Sequence, residues 1–232
     1  MAGLDHLVVA ARTLEEGVQW CEATLGVTPG PGGEHALFGT HNRLLRLGDS
    51  EGPVAEPPPY LEIIAINPAA QPARAAPLKR WFDLDDEALQ ARLAQQGPQL
   101  IHWVARVDRL DAVLAAWDAL GLQRGAPIAA SRATPQGLLE WRLTVRDDGA
   151  RLLDGCLPTL IAWGPRHPVT DMPVSGLKLK DFRLLHPDAQ LLTQALQVAG
   201  LGAVPVQATA AGAAAAGLCA TLTTPRGEVV LG

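Results

Sequence analysis

The chain has 232 residues, 48% of them hydrophobic and 19% charged, with a net charge of −5. That is enough apolar material for a substantial core, and an acidic balance without a basic cluster excludes the electrostatic footprint of a nucleic-acid binder. Three cysteines, Cys21, Cys156 and Cys219, stand far apart and odd in number, which argues against a disulfide framework and suits a reducing cytoplasm. The N-terminus shows no basic region ahead of a long apolar run, so no signal peptide is expected. Nor is there an apolar stretch of about 20 residues to span a membrane.

Residues 4–10, Leu-Asp-His-Leu-Val-Val-Ala, read as a short apolar strand carrying His6. Thr13 caps the next helix, with Glu16 three residues later as a capping box. Leu14, Val18, Cys21 and Leu25 share one face, and Gly26 ends the helix. Cys21 therefore points inward and is inert. Residues 27–33 are a Pro- and Gly-rich loop. Strand-like runs follow at 34–38 and 42–47, and a Pro-rich loop at 52–59 leads to a strand at Tyr60–Ile66 with Glu62 inside it. Residues 1–67 thus read as β-α-β-β-β. Residues 68–99 are a connector punctuated by Pro68, Pro72 and Pro77. Its Trp81-Phe82 pair tucks against the body, and residues 85–96 form an amphipathic helix on Leu89 and Leu93.

Residues 100–164 repeat the device. His102 lies in the strand Leu100–Arg106, and Leu110 follows it by eight residues, as Leu14 follows His6. Such self-similarity implies two equivalent modules whose histidines converge. Asp108 is expected to cap a helix carrying Leu110, Leu114 and Trp117, ended by Gly121. A loop at 125–131, a strand at 138–145 and a last strand at 157–163 follow, with room for one short strand before Leu157. After a linker at 165–173, residues 174–232 read as a third unit packed on the same body. It holds a strand at 177–184, a helix at 187–198 and a hairpin of 218–223 with 228–231. Asp181 stands where the first two units have histidine. Residues 208–220 are a loose small-residue segment. The fold class is α+β: paired βαβββ modules in a curled, cup-shaped mixed sheet, with a C-terminal βαββ-like unit.

A glutamate inside Leu-Glu-Ile-Ile is costly to bury unless paired or bound to a cation. Two imidazoles and a carboxylate suit a divalent metal, Zn, Fe, Mn, Ni or Co. The plainer alternative for each histidine is a hydrogen-bonded core residue. His41 and Asn42 begin a strand and either face the cup or form a turn. Arg132 sits where it can clamp an anion bidentately, or stay solvated. Trp103, Trp141 and Trp163 are core or pocket wall, and Trp103 is expected to contact substrate beside His41, Asn42 and Arg132. Glu140 is a spare acid or a solvated residue. His35 is a weak site candidate, and His167 and His186, beside prolines, are expected to be exposed.

Taken together, several segments resemble the vicinal oxygen chelate superfamily, the glyoxalase and extradiol dioxygenase fold, and within it the glyoxalase-like domain proteins. They are Leu4–Val9, Gly39–Leu45, Tyr60–Ala65, Trp81-Phe82, His102–Arg106, Ser131–Gly137, Leu157–Trp163 and Thr224–Gly227. The resemblance implies a metal in the cup held by His6, Glu62 and His102, with a fourth ligand from the last strand of the second module. At the position taken for that ligand stands Ala162, so at most three protein ligands remain, and metal is weakly held or absent. The function expected is a metal-dependent lyase, isomerase or dioxygenase acting on a small oxygen-rich molecule, with Glu62 moving the proton. The alternative is a metal-free protein that binds or sequesters a small molecule. No nucleic acid or membrane partner is expected, and a homodimer is compatible with the chain.

Overall fold

The computed structural model describes residues 2–48, 57–74, 76–210 and 216–232. The expected loop at 52–59 and the small-residue segment at 208–220 lie partly outside the described residues. The first module is β1 (Gly3–Ala10), α1 (Leu14–Leu25), β2 (Glu34–His35), β3 (Thr40–Leu47) and β4 (Tyr60–Ile66). Both ends of α1 follow from local chemistry. The Thr13 hydroxyl accepts from the Glu16 amide at 3.1 Å, and Gly26 closes the helix in the left-handed region at φ 75°. The connector holds α2 (Glu87–Gln96), capped by Asp86 accepting from the Leu89 amide. The second module is β5 (Gln99–Arg106), α3 (Leu110–Ala119), β6 (Pro127–Thr134), β7 (Gly137–Thr144) and β8 (Thr159–Trp163).

Two expectations change here. The loop expected at 125–131 is largely β6, so the extra strand of the module precedes β7 instead of Leu157. The small residues Ala129, Ala130 and Ser131 carry no apolar alternation, yet β6 pairs with β7 along its whole length as an edge strand. Helix α3 has Arg109 at its N-cap with no side-chain cap bond, so Asp108 is not the cap.

The third unit is β9 (Val174–His186), α4 (Ala189–Val198), β10 (Val206–Ala208), β11 (Gly217–Thr224) and β12 (Gly227–Leu231). It has one strand more than the βαββ pattern, and it is wired differently. In the first two modules the opening strand runs parallel to the closing one, β1 with β4 and β5 with β8. In the third, β9 pairs antiparallel with β11 and parallel with the short β10. Asp181, at the histidine position, faces Thr221 and pairs with Arg183 at 2.5 Å, away from any site.

One mixed sheet of 12 strands runs β12-β11-β9-β3-β4-β1-β5-β8-β7-β6, with β10 on β9 and β2 on β3. At its centre β1 and β5 are antiparallel, with His6 opposite Val104 and His102 opposite Val8. That register makes a local two-fold relating the halves. Two apolar layers cover the sheet. On the helix side, α1, α3 and α4 bury Leu7, Leu61, Trp103, Trp117, Leu160 and Leu192. On the other side, the connector's Trp81, Phe82, Leu84, Leu89 and Leu93 pack on Val8, Ile64 and Val104.

Residues 174–232 draw on the helix-side core. β9 joins β3 at Leu47–Leu177, Phe182 meets Trp103 edge-on at 5.2 Å, and Trp117 Nε1 donates to the Ala195 carbonyl at 2.8 Å. Limited proteolysis should therefore release no stable fragment beginning near Val174. Trp117→Ala should destabilise the chain by about 3–5 kcal/mol in one transition. A folded C-terminal fragment, or two separated transitions, would contradict the shared core.

Candidate functional site

β1 to β8 turn side chains on one partly open cavity of about 50 Å³. His6, Asn42, Glu62 and Arg132 supply polar groups, and Tyr60, Trp81, Phe82, Trp141 and Trp163 supply aromatic wall. The sheet curls far enough for Arg132, on its last strand, to reach the loop before β2. A Cβ on Gly33 would lie 2.0 Å from the Arg132 guanidinium, so any larger residue there would push that side chain from its present place.

The polar centre is a chain of buried groups. Asp5 takes a hydrogen bond from His6 Nδ1 at 2.7 Å, from Trp163 Nε1 at 2.9 Å and from His167 Nε2 at 3.0 Å. A register irregularity in β1 between Leu4 and His6 lets these consecutive side chains meet. His6 Nε2 lies 3.5 Å from Glu62 Oε2. Asn42 Nδ2 donates to Glu62 Oε1 at 2.5 Å, while its Oδ1 accepts from the Gly33 amide at 2.7 Å. Tyr60 stacks on His6 with ring centroids 4.5 Å apart, as the parallel register of β1 and β4 dictates.

These contacts decide the charges. Burial opposes the His6 imidazolium, but hydrogen bonds and attraction from Asp5 and Glu62 outweigh it and raise its pKa to about 9. Burial likewise works against the Asp5 and Glu62 carboxylates, and their histidine partners outweigh it, so both are held below the ordinary range. His35 goes the other way. Burial drives its pKa down to about 4, with Arg132 and His6 adding to the effect and Glu62 opposing it. The cup therefore holds an imidazolium between two carboxylates, beside a neutral His35.

The second half of the cup is filled. His102 is on the cup face and fully buried. Its Nε2 accepts the Thr159 amide at 3.1 Å, which leaves Nδ1–H to donate to the Gly155 carbonyl at 3.0 Å. Phe82 covers its ring at 5.1 Å. Phe82 and Asp83 both sit at positive φ, near 60°, and Arg151 fastens Asp83 at 2.8 Å. By the local two-fold, Thr159, opposite Val104, holds the place that Glu62, opposite Val8, holds in the first half. Burial and the nearby Arg124 and Arg151 push the His102 pKa well down.

The structure thus brings His6, Glu62, Asn42 and Arg132 together on one cavity with His35, Trp141 and Trp163, and places His41, Trp103 and His102 outside its lining. His41 alternates with Asn42 along β3 and cannot share its face; it does not line the cavity. Trp103 is on the helix side, bonded to the Cys156 carbonyl at 2.8 Å, because it alternates with His102 and Val104. Ala162 is also misplaced. Thr159, Ile161 and Trp163 face the cup, whereas Ala162 packs on the helix-side core that holds Leu160. Glu140 is exposed, Cys21 is buried with its thiol pushed up to about 12 by burial, and His167 and His186 are buried instead of exposed. Asp5, Tyr60 and His167 were missed. The Asp-His neighbours Asp5-His6 were the available signal for the first.

The donor set does not fit the metal site that the resemblance implies. The His102 lone pair is spent on an amide, Thr159 replaces an acid, and His35 Nε2 accepts from Asn42 at 3.3 Å. Among the described residues no group of three His, Cys, Asp or Glu is placed to hold an ion.

The raised His6 pKa contributes stability that is complete below about pH 6.5 and lost as pH rises through about 9. The depressed His35 and His102 contribute stability that is complete above about 6.5 and lost as pH falls, and the lowered Asp5 and Glu62 add to that acid limb. Urea unfolding should therefore weaken on both sides, by up to about 1.4 kcal/mol per pH unit for each group. His6→Gln should flatten the alkaline limb and, since His6 also lowers the Asp5 and Glu62 pKa values, shrink the acid limb as well. An unchanged alkaline limb would refute the imidazolium.

The profile of the glyoxalase-like domain family matches residues 4–200. A search of curated proteins finds no match. Among solved structures, a hypothetical protein from Staphylococcus aureus superposes with a TM-score of 0.56 at 12% identity, over 99% of this chain and 84% of that one. It shares the fold. Methylmalonyl-CoA epimerases from Streptomyces coelicolor and Mycobacterium tuberculosis align at TM-scores of 0.40 and 0.37, with 17% and 16% identity. They cover 70% and 73% of this chain and 95% and 91% of their own. No helix among the described residues is long and apolar enough to cross a membrane. With the family profile spanning both modules, the chain belongs to the glyoxalase-like domain family.

Proposed function

We propose that the cup binds a small, oxygen-rich, anionic molecule and moves a proton on it by general acid–base chemistry of the His6–Glu62 pair. One observation carries this. Glu62 is an ionised carboxylate only 4% exposed, facing an aromatic cavity between an imidazolium and an amide donor. Arg132 clamps the ligand's carboxylate or comparable anion. The aromatic walls hold its body and exclude water. His6 Nε2–H, 3.5 Å from Glu62, is long enough from its partner to turn to a ligand oxygen. As charge grows on that oxygen, the imidazolium stabilises it, while Glu62 accepts the proton from the neighbouring carbon. Asp5 keeps the ring oriented and charged. The reaction class is an isomerase-type proton transfer next to a carbonyl.

A second reading, sequestration without turnover, has one observation in its favour. Opposite the polar centre stand Leu139, Leu143 and Ile161, which move no protons. The two readings separate by hydrogen–deuterium exchange. A panel of 2-oxo acids and 2-hydroxy ketones in D₂O, followed by proton NMR, should show catalysed exchange at one carbon. Glu62→Gln should slow it about 10²–10⁴-fold with binding kept. Arg132→Gln should weaken binding roughly 10- to 100-fold. Binding without exchange across the panel would support sequestration instead.

The metal-dependent lyase or dioxygenase reading retains only His6 and Glu62 as converging donors. Calorimetric titration with Zn²⁺ or Mn²⁺ should show weak binding at best, and Ala162→Glu should not tighten it, since that side chain leaves the cup. Tight stoichiometric binding in the wild type would reverse this choice. A cytoplasmic setting, supported by three free cysteines, and a homodimer remain proposals; light scattering checks the latter.

A further inference from the structure

Behind the aromatic wall of the cup lies a second, smaller void of about 10 Å³. It sits in the filled half, under Trp81 and Phe82, against His102 and Thr159. Its lining includes three arginines. Arg146 and Arg151 have carboxylate partners, Asp148 at 2.6 Å and Asp83 at 2.8 Å. Arg124 is different. It is 2% exposed, its NH2 group donates to the Thr159 hydroxyl at 2.5 Å, and no carboxylate pairs with it among the described residues. Asp83 and Asp148 attract it only from beyond pairing distance, and a buried guanidinium without a carboxylate in contact is expensive. Its Nε–H is buried with no acceptor, and the same holds for the indole N–H of Trp81. Buried donors are rarely left so.

Two unpartnered donors, and one cation without a carboxylate in contact, therefore belong to residues that line the same small void. The neighbouring groups offer no relief, because His102 presents a saturated lone pair and Thr159 already accepts from Arg124. A water molecule would accept both donors but bring no negative charge into contact with the guanidinium. We propose that this void is a binding site for a single halide-sized anion, held by Arg124 and Trp81. Its narrowness excludes a polyatomic substrate, and its place behind the shared wall of Trp81, Phe82 and Thr159 separates it from the cup. The anion neutralises the filled half and fixes the connector's aromatic plug against the sheet.

The test compares thermal melts in sodium chloride and sodium gluconate at equal ionic strength, with bromide-soaked crystals as the structural readout. Chloride should raise Tm saturably by about 2–4 °C over gluconate, the shift that a few-fold excess over Kd produces in a protein of this size. An anomalous bromide peak should appear within hydrogen-bond distance of Arg124 Nε and Trp81 Nε1. Trp81→Phe should raise the half-saturating chloride concentration about tenfold, and Arg124→Met should abolish the chloride effect. If Arg124→Met fails to fold, the wild-type bromide map decides. Equal melts in both salts, or a void without anomalous signal, would overturn the proposal.

Discussion

An ionised carboxylate in an apolar cup is the constraint on which the rest depends. Glu62 cannot stay charged there without a cation, and His6 cannot stay charged without a second carboxylate behind it. Asp5 supplies that carboxylate, and Trp163 and His167 in turn satisfy Asp5. The linker between the second and third units is thereby tied to the first strand. A segment that reads as a surface connector is part of the site's support, and its histidine is buried for that reason.

The two-fold at the centre of the sheet offers the same geometry twice, and the chain uses it once. In the first half, a histidine meets an acid. In the second, a histidine meets a threonine that is itself bonded by Arg124, and a phenylalanine driven in from the connector. The second half thus gives up a solvent-filled recess for packing, and what remains open is one asymmetric pocket with Arg132 at its edge. The connector is as much a determinant of function here as the strands are, since Trp81 and Phe82 set the boundary of the cavity.

Much of this was legible. The spacing of His6 to Leu14 and His102 to Leu110 marked the repeat, and the register of β1 with β5 relates those histidines by the local two-fold. Thr13, Gly26 and the run Tyr60–Ile66 marked elements that formed where local chemistry placed them. Parity was less legible. His41 against Asn42, Trp103 against its neighbours, and Ala162 against Ile161 depend on which face each strand presents, and a shift of one residue reverses the answer. For β8 that register comes from pairing with β5 and β7, long-range contacts with no local signature. The plug over His102 was invisible for a related reason. It needs left-handed backbone at Phe82, an aromatic residue that seldom adopts it, and at Asp83, held by a salt bridge to Arg151 from the other module. Strand β6 was hidden by small residues that earn their strand from partnership alone.

The central claim is that the first half of the cup holds a proton-bearing His6 between two carboxylates, while its symmetry mate is a neutral, spent ring. Imidazole ¹⁵N NMR of the protein as purified, at pH 8, reads this directly. His6 should show both ring nitrogens protonated, and His102 should show a neutral Nδ1–H tautomer. A neutral His6, or a His102 whose Nε2 carries the proton, would contradict the account.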